Sequence, residues 1–284
     1  MSATQRGAIA DEQQYASSQA GREHKPGQAQ RVRVPIKFPV GILPWLLGLI
    51  LLAGWYFGTA NGRVSDLILP APAEVFSMLG QGLSSGLFLH NTWVTVQESV
   101  IGFLLALVVA LPFGYGLAKS RIFATTFQPY LAAGQAIPAI VIAPLLVLWL
   151  GYDIFTTMLV CMLVVVFPLV INTVFGVQSI DQALTDAARV EGAAGWSMLA
   201  HIEFPLALPA ILAAVRTCLT LSITGALVGE FVSGGDQGLG ALVLIAKNQY
   251  DMPLMFATLV VLAVLAALYY GASWLLVALS RAVY

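Results

Sequence analysis

Three ionisable residues stand inside otherwise apolar runs: Glu98, Arg216 and Glu230. A charge at the centre of a membrane helix costs about 2.5–3.5 kcal/mol, so such residues mark a solute or ion pathway by default. Each stands toward the end of its apolar run, where an interfacial anchor or an interhelical pair is the competing use. Gln135, Asn172, Thr220, Ser222 and Thr224 add amides and hydroxyls that can solvate a polar solute without fixed charge, with interhelical hydrogen bonding as the alternative. The chemistry on offer is recognition and passage rather than bond breaking. A phosphate loop of the form GxxxxGK[ST] is missing, since the nearest stretch, GYGLAKS at residues 114–120, lacks the glycine before its lysine. His24, His90 and His201 have no metal-ligand spacing, and no Ser, His and Asp set can be placed at one membrane depth. The chain is therefore read as non-catalytic, with no metal and no cofactor of its own.

Composition sets the elements that must position these residues. The chain is 59% hydrophobic and 10% charged, with a mean hydropathy of +0.86, far from the roughly 45–50% apolar and 25% charged of soluble domains. An all-α polytopic membrane protein is expected. The net charge of -1 and the lack of a basic stripe give no sign of nucleic-acid binding. Residues 1–38 are rich in Gln, Ser, Ala, Gly and charge without an apolar signal run, and read as a disordered cytoplasmic tail. Arg31, Arg33 and Lys37 then anchor the first span at its cytoplasmic end, or bind anionic lipid.

Residues 39–284 read as the transmembrane domain, with about six spans at 40–57, 93–117, 130–150, 155–175, 206–232 and 254–279. Trp45, Trp55 and Tyr56 suit interfacial ends, and Pro72 starts a short surface helix in an outer segment. Of the 13 Lys and Arg residues, only Arg63 and Lys247 fall in outer segments, which puts both termini in the cytoplasm. Pro112, Pro138, Pro144 and Pro168 each free a backbone carbonyl, which is tolerated at depth only against protein or a wet cavity. Spans two to five are expected to surround such a cavity. Gly225 and Gly229 form a GxxxG pair suited to close helix packing. Cys161 and Cys218 lie in apolar spans and behave as small hydrophobes.

Residues 179–205, SIDQALTDAARVEGAAGWSMLAHIEFP, form the long polar interlude of the second half, on the cytoplasmic side by the same charge count. Ser179 and Gln182 have capping-box spacing, and Ile180, Ala183, Leu184, Ala187 and Glu191 fall on one narrow helical face suited to docking. Gly192 can take positive φ and stop that helix, Trp196 to Ile202 gives a second short helical piece, and Pro205 suits the first turn of the next span.

The order Asp186, Ala187, Ala188, Gly192, Ile202, Pro205 resembles the EAA loop of ABC importer permeases. Asp186 stands where Glu is commoner, one methylene shorter with the same charge. QAIPAIVIAPLLVLWLGYD, FPLVINTVFGVQSID and VGEFVSGGDQGLGALV resemble further runs of one branch of that family, in family order. The resemblance implies the type I ABC importer permease fold, with those six residues in cytoplasmic coupling helices that sit in a groove of a separate ATP-hydrolysing subunit. It also implies a multi-pass inner-membrane protein, a soluble or tethered substrate-binding protein, and a second permease copy in a homodimer. The sequences around Glu98 and residues 248–256 look most like the riboflavin and pyrimidine-type thiamine-precursor importers, with sulfonate, taurine or nitrate import as the alternative. The tentative pathway set is Glu98, Gln135, Asn172, Thr220, Thr224 and Glu230. Competing classes are an ion-driven carrier with Glu98 or Glu230 as its ion site, and a scaffold that uses the same loop for docking.

Overall fold

The computed structural model describes residues 43–60, 65 and 68–283, and the side chains of all of these except 44 and 276–283. The expected tail, with Arg31, Arg33 and Lys37, and also Arg63, lies outside the described residues. The chain divides after Ile50, and apart from the first turns of α1 all that follows lies from Leu51 onward.

The elements are α1 (Leu43–Ala60), α2 (Pro72–Ser84), α3 (Leu87–Lys119), α4 (Arg121–Ala136), α5 (Ala139–Leu150), α6 (Ile154–Gln178), α7 (Gln182–Val190) and α8 (Gly195–Met198). A π-turn over Leu199–Glu203 leads into α9 (Phe204–Ser233), followed by α10 (Leu239–Asn248) and α11 (Met252–Val283). The fold is all-α, as composition required. Among the described residues, four helical runs are long and apolar enough to cross a membrane: α3, α6, the run Gly195–Ser233, and α11; the bent pair α4 and α5 makes a fifth if taken as one span. The first of the six expected spans, 40–57, begins outside the described residues, and within them it is the helix α1. At 33 residues, α3 is about 50 Å long. It outruns a hydrocarbon core of roughly 30 Å, so its ends project beyond the apolar layer.

The third expected span is not one helix. α4 and α5 meet at 95°, and Pro138 is the cause. It lacks an N–H and pushes the preceding Ile137 into extended backbone, with φ -84° and ψ 118°. Its own fixed φ then starts α5. Pro112, Pro144 and Pro168 lie within continuous helices, so of the four prolines singled out only Pro138 breaks the chain.

α3, α6 and α9 meet over a core built from Phe103, Ala106 and Ala110 of α3, Cys161, Val165 and Leu169 of α6, and Ala214 and Cys218 of α9. Glycines set how closely they approach. A Cβ on Gly225 would lie 2.8 Å from Cys161 Cα, and one on Gly229 would lie 3.0 Å from Thr157 Cα. Because Cys161 and Thr157 are themselves four residues apart on α6, the GxxxG pair is the close-packing device its spacing suggested. Both cysteines are free thiols, and Cys161 Sγ donates to the Ser222 carbonyl at 3.2 Å.

A second apolar cluster joins Val75 of α2, Phe88 of α3, Leu242 and Ala246 of α10, and Leu254 and Ala257 of α11. Trp55 packs against it, with its ring 6.1 Å from that of Phe256 and its indole N–H donating to the Pro70 carbonyl at 3.0 Å. Trp55 is thus a half-buried packing residue, whereas Tyr56 stays exposed.

Candidate functional site

The polar loop closes the ends of α6 and α9. α6 runs through to Gln178, so Ser179 is spent on ending it, with its hydroxyl donating to the Gly176 carbonyl at 2.8 Å. The cap of α7 therefore falls to Asp181, whose Oδ1 accepts the Ala183 N–H at 2.9 Å, and the capping box read from Ser179 and Gln182 is displaced by two residues. α7 ends as expected. Gly192 has φ +92°, its N–H donates to the Arg189 carbonyl, and the Ala193 N–H donates to the Ala188 carbonyl. These two bonds make a Schellman motif, which needs a left-handed residue at Gly192.

The second helical piece is not separate. α8 passes through the π-turn straight into α9, forming one helical run over Gly195–Ser233. In the π-turn, the Phe204 N–H bonds to the Leu199 carbonyl five residues back. Pro205, which has no N–H and crowds the carbonyl four residues before it, is the physical reason for this wider turn. Pro205 does not open a new helix; it sits in the first turn of α9 within an unbroken run.

Of the motif residues, Asp186 and Ala187 are exposed, Ala188 is buried, Gly192 is exposed, and Ile202 and Pro205 are half-buried. Asp186 is held at 2.7 Å by Arg189 of its own helix. Ala188 faces inward, so the close approach it permits is to its own chain. Of the face expected to dock, Ala183, Leu184, Ala187 and Glu191 are exposed while Ile180 packs against the core; outside that face Val190 and Trp196 are 89% and 77% exposed. Leaving a large apolar side chain in water forgoes about 1.5–3 kcal/mol. Three of them around one polar loop mark a contact surface.

Behind the loop lies a cluster that no motif indicated. Glu203, at the end of the π-turn, is 2% exposed. The Tyr115 hydroxyl donates to its Oε2 at 2.7 Å, and Lys119 Nζ forms an ion pair with its Oε1. A signal for it existed in the sequence: Lys119 directly follows one apolar run and Glu203 directly precedes another, so opposite charges meet at neighbouring helix ends.

At the far end of the same helices, Glu98 and Glu230 are buried, and Glu98 Oε2 has no hydrogen-bond partner among the described residues. Neither is exposed as a snorkelling anchor would be, and Glu230 makes interhelical hydrogen bonds. Glu230 accepts from the Thr95 hydroxyl at 2.6 Å and from the Gly240 N–H. Asn91 Oδ1 accepts the Gly238 N–H at 2.8 Å, and Thr95 Oγ1 accepts the Leu239 N–H at 2.9 Å. The side chains of α3 and α9 thus satisfy amides at the start of α10 that its own helix leaves without partners. Arg216 stands near the middle of α9, not at its end, with its guanidinium 4.9 Å from the Tyr270 ring centroid of α11.

The uncharged candidates are dispersed. Gln135 lines a pocket of about 360 Å³ at the α4–α5 bend, with Phe167 and Pro168. Asn172 donates to the Pro168 carbonyl at 2.7 Å, Thr220 to the Thr217 carbonyl at 2.9 Å, and Ser222 to the Leu219 carbonyl at 2.7 Å. These are bonds within one helix rather than between helices. Thr224 is exposed on α9.

Residues 100–283 match the family model described as "Binding-protein-dependent transport system inner membrane component". The chain is 42% identical over 228 residues, covering 80% of this chain and 85% of the relative, to the riboflavin transport system permease protein RibX of Chloroflexus aurantiacus. It is 30% identical over 229 residues, 81% of this chain and 90% of the relative, to the formylaminopyrimidine transport permease protein ThiX of Halalkalibacterium halodurans. It is 28% identical over 228 residues, 79% of this chain and 82% of the relative, to the putative aliphatic sulfonates transport permease protein SsuC of Bacillus subtilis. A solved chain of the inward-facing MetNI methionine ABC transporter superposes with a TM-score of 0.60 at 21% identity, covering 68% of this chain and 94% of that one, a likeness of fold. With the loop geometry, the apolar spans and a family match over most of its length, this chain belongs to the binding-protein-dependent inner-membrane permeases of ABC importers, a non-catalytic membrane component.

Proposed function

We propose that this chain forms the membrane pathway of an ATP-driven importer for riboflavin or a pyrimidine-type thiamine precursor. The observation that carries the substrate class is the 42% identity to a riboflavin permease over 80% of the chain. The exposed Leu184, Val190 and Trp196 around Gly192 are the surface offered to a separate ATP-hydrolysing subunit, and ATP is used there, with no cofactor held by this chain. Asp186, Ala187, Ala188, Gly192, Ile202 and Pro205 shape that surface. Two permease copies face each other, both termini lie in the cytoplasm, and a substrate-binding protein delivers the solute from outside. ATP-driven approach of the two partner subunits draws the loops together and turns the cavity between the copies from inward to outward. Gln135, Asn172, Thr220 and Thr224 provide the polar lining, while Glu230, Thr95 and Asn91 hold the start of α10 in place. The 28% identity to a sulfonate permease supports sulfonate import as the second reading.

Purifying the tagged chain from its native membrane in mild detergent, and identifying its partners by mass, tests this directly. The partners expected are an ATPase and a binding protein, and that binding protein takes up riboflavin or formylaminopyrimidine from a panel that includes an alkanesulfonate, taurine and nitrate. Capture of a sulfonate instead overturns the substrate class, and purification without any ATPase overturns the importer reading.

A further inference from the structure

The cluster behind the loop carries an inference of its own. Lys119 is the last residue of α3, Tyr115 lies one turn earlier, and Glu203 ends the π-turn that joins the loop to α9. Glu203 is 2% exposed while Lys119 is 36% exposed, so one partner is fixed inside the protein and the other opens to water. A buried carboxylate that loses its cation is left uncompensated, which makes its surroundings favour a fixed pairing over drift. The segment that carries Glu203 is also the least regular part of the run Gly195–Ser233. A π-turn inside a helix is a local departure from the usual ladder, found often where helices serve a function.

Space lies on both sides of the ion pair. An apolar cavity of about 460 Å³ is lined by Pro112, Tyr115, Trp196, Leu199 and Glu203. A polar groove of about 420 Å³ is lined by Lys119, Gln178, Thr185, Asp186 and Arg189. The pair therefore bridges a wall between the exposed loop helix α7 on one side and Trp196 on the other. Pro112, which leaves α3 short of a backbone hydrogen bond, stands two turns before Lys119 on the cavity side. The last turns of α3 can move with the loop only if something ties the two together, and this ion pair, with the Tyr115 hydroxyl, is the polar tie between them that the structure shows.

We propose that Lys119, Tyr115 and Glu203 form a latch that passes movement of the 179–205 loop into α3, and so set how much solute moves per ATP. The latch rests on the importer reading above. Its members are positioning residues: they touch neither nucleotide nor solute, and act by making the loop, α3 and α9 move as one body.

The test uses the complete transporter, purified with its ATPase and binding protein and reconstituted in proteoliposomes, with solute uptake and ATP hydrolysis measured together. Glu203→Gln and Lys119→Met are expected to lower solute moved per ATP at least tenfold while the ATPase still co-purifies and still hydrolyses ATP. The reversed pair, Lys119→Glu with Glu203→Lys, is expected to bring the ratio back to within about threefold of the parent. Tyr115→Phe, which removes one hydroxyl and no charge, is expected to lower the ratio by roughly threefold to fivefold. An unchanged ratio in the two single variants overturns the proposal. If either single variant fails to assemble, Tyr115→Phe decides alone, and a parental ratio there overturns it. A parent that hydrolyses ATP without any uptake points elsewhere: it removes the importer reading, whatever the latch does.

Discussion

Replacing Gly192 with isoleucine is expected to cut solute uptake at least tenfold while leaving the permease folded and inserted. The expectation comes from separating two costs that a glycine substitution can carry. A Cβ at Gly192 meets nothing within 4 Å, so there is no steric charge against the bundle. The backbone carries the whole effect: at φ +92° an L-residue is strained by about 1–2 kcal/mol, and more when β-branched. A change of that size shifts a local equilibrium by roughly 5–30-fold. What shifts is the Schellman turn that fixes α7 relative to α8, and with it the alignment of Leu184, Val190 and Trp196. Gly192→Asn, which accepts left-handed backbone more readily, is expected to retain most uptake. Parallel measurement of uptake, ATP hydrolysis and membrane abundance checks this; full uptake by the isoleucine variant would remove Gly192 from the coupling role.

The opposite kind of glycine lies in the core. Gly225→Val and Gly229→Val are each expected to remove nearly all folded protein from the membrane, below about a tenth of the parental amount. Here φ is ordinary and the space is absent: the added Cβ would sit 2.8 Å from Cys161 Cα or 3.0 Å from Thr157 Cα. Backbone cannot step aside as a side chain can, so α6 and α9 must separate. The cost is at least the 1–3 kcal/mol typical of overpacking a core, with lost packing along the shared face added. Gly271→Val on α11 is the control, since a Cβ there meets nothing within 4 Å, and it should accumulate normally. Fluorescence-detected size exclusion of the solubilised protein distinguishes these outcomes, and a normal peak for Gly225→Val would contradict the packing derived from the structure.

Much of this was legible in the sequence because it depends on local chemistry. Apolar runs longer than a bilayer is thick announced α3, α6, α9 and α11, Gly192 announced the end of α7, and a four-residue glycine spacing announced a close helix contact on α9, though not its partner α6. Pro138 announced an interruption, though not that α4 and α5 would turn by 95°, since a proline names the place of a break but not its angle. The displaced cap at Asp181 was hidden because two capping residues compete there, and which one wins depends on where α6 ends. The fates of Glu98 and Glu230 were hidden for a different reason. Whether a carboxylate in an apolar run faces a pathway, an interface or a helix start depends on a neighbour 132 positions away in the chain in one direction or the other. Local sequence carries no record of that neighbour. Glu203 differs: its partners Tyr115 and Lys119 come from a helix that precedes the loop by two spans, yet the opposite charges at the ends of two apolar runs left a trace of the pairing.

The source of energy for transport is the sharpest point on which the whole reading can be tried. The parent chain, reconstituted in proteoliposomes with its co-purified ATPase and binding protein, is supplied with labelled riboflavin on the binding-protein side and ATP on the loop side. Uptake that requires ATP, survives collapse of proton and sodium gradients, and stops when ATP is withheld is the predicted result. Uptake that follows an imposed ion gradient and ignores ATP would contradict it, and would return Glu98 and Glu230 to consideration as an ion site.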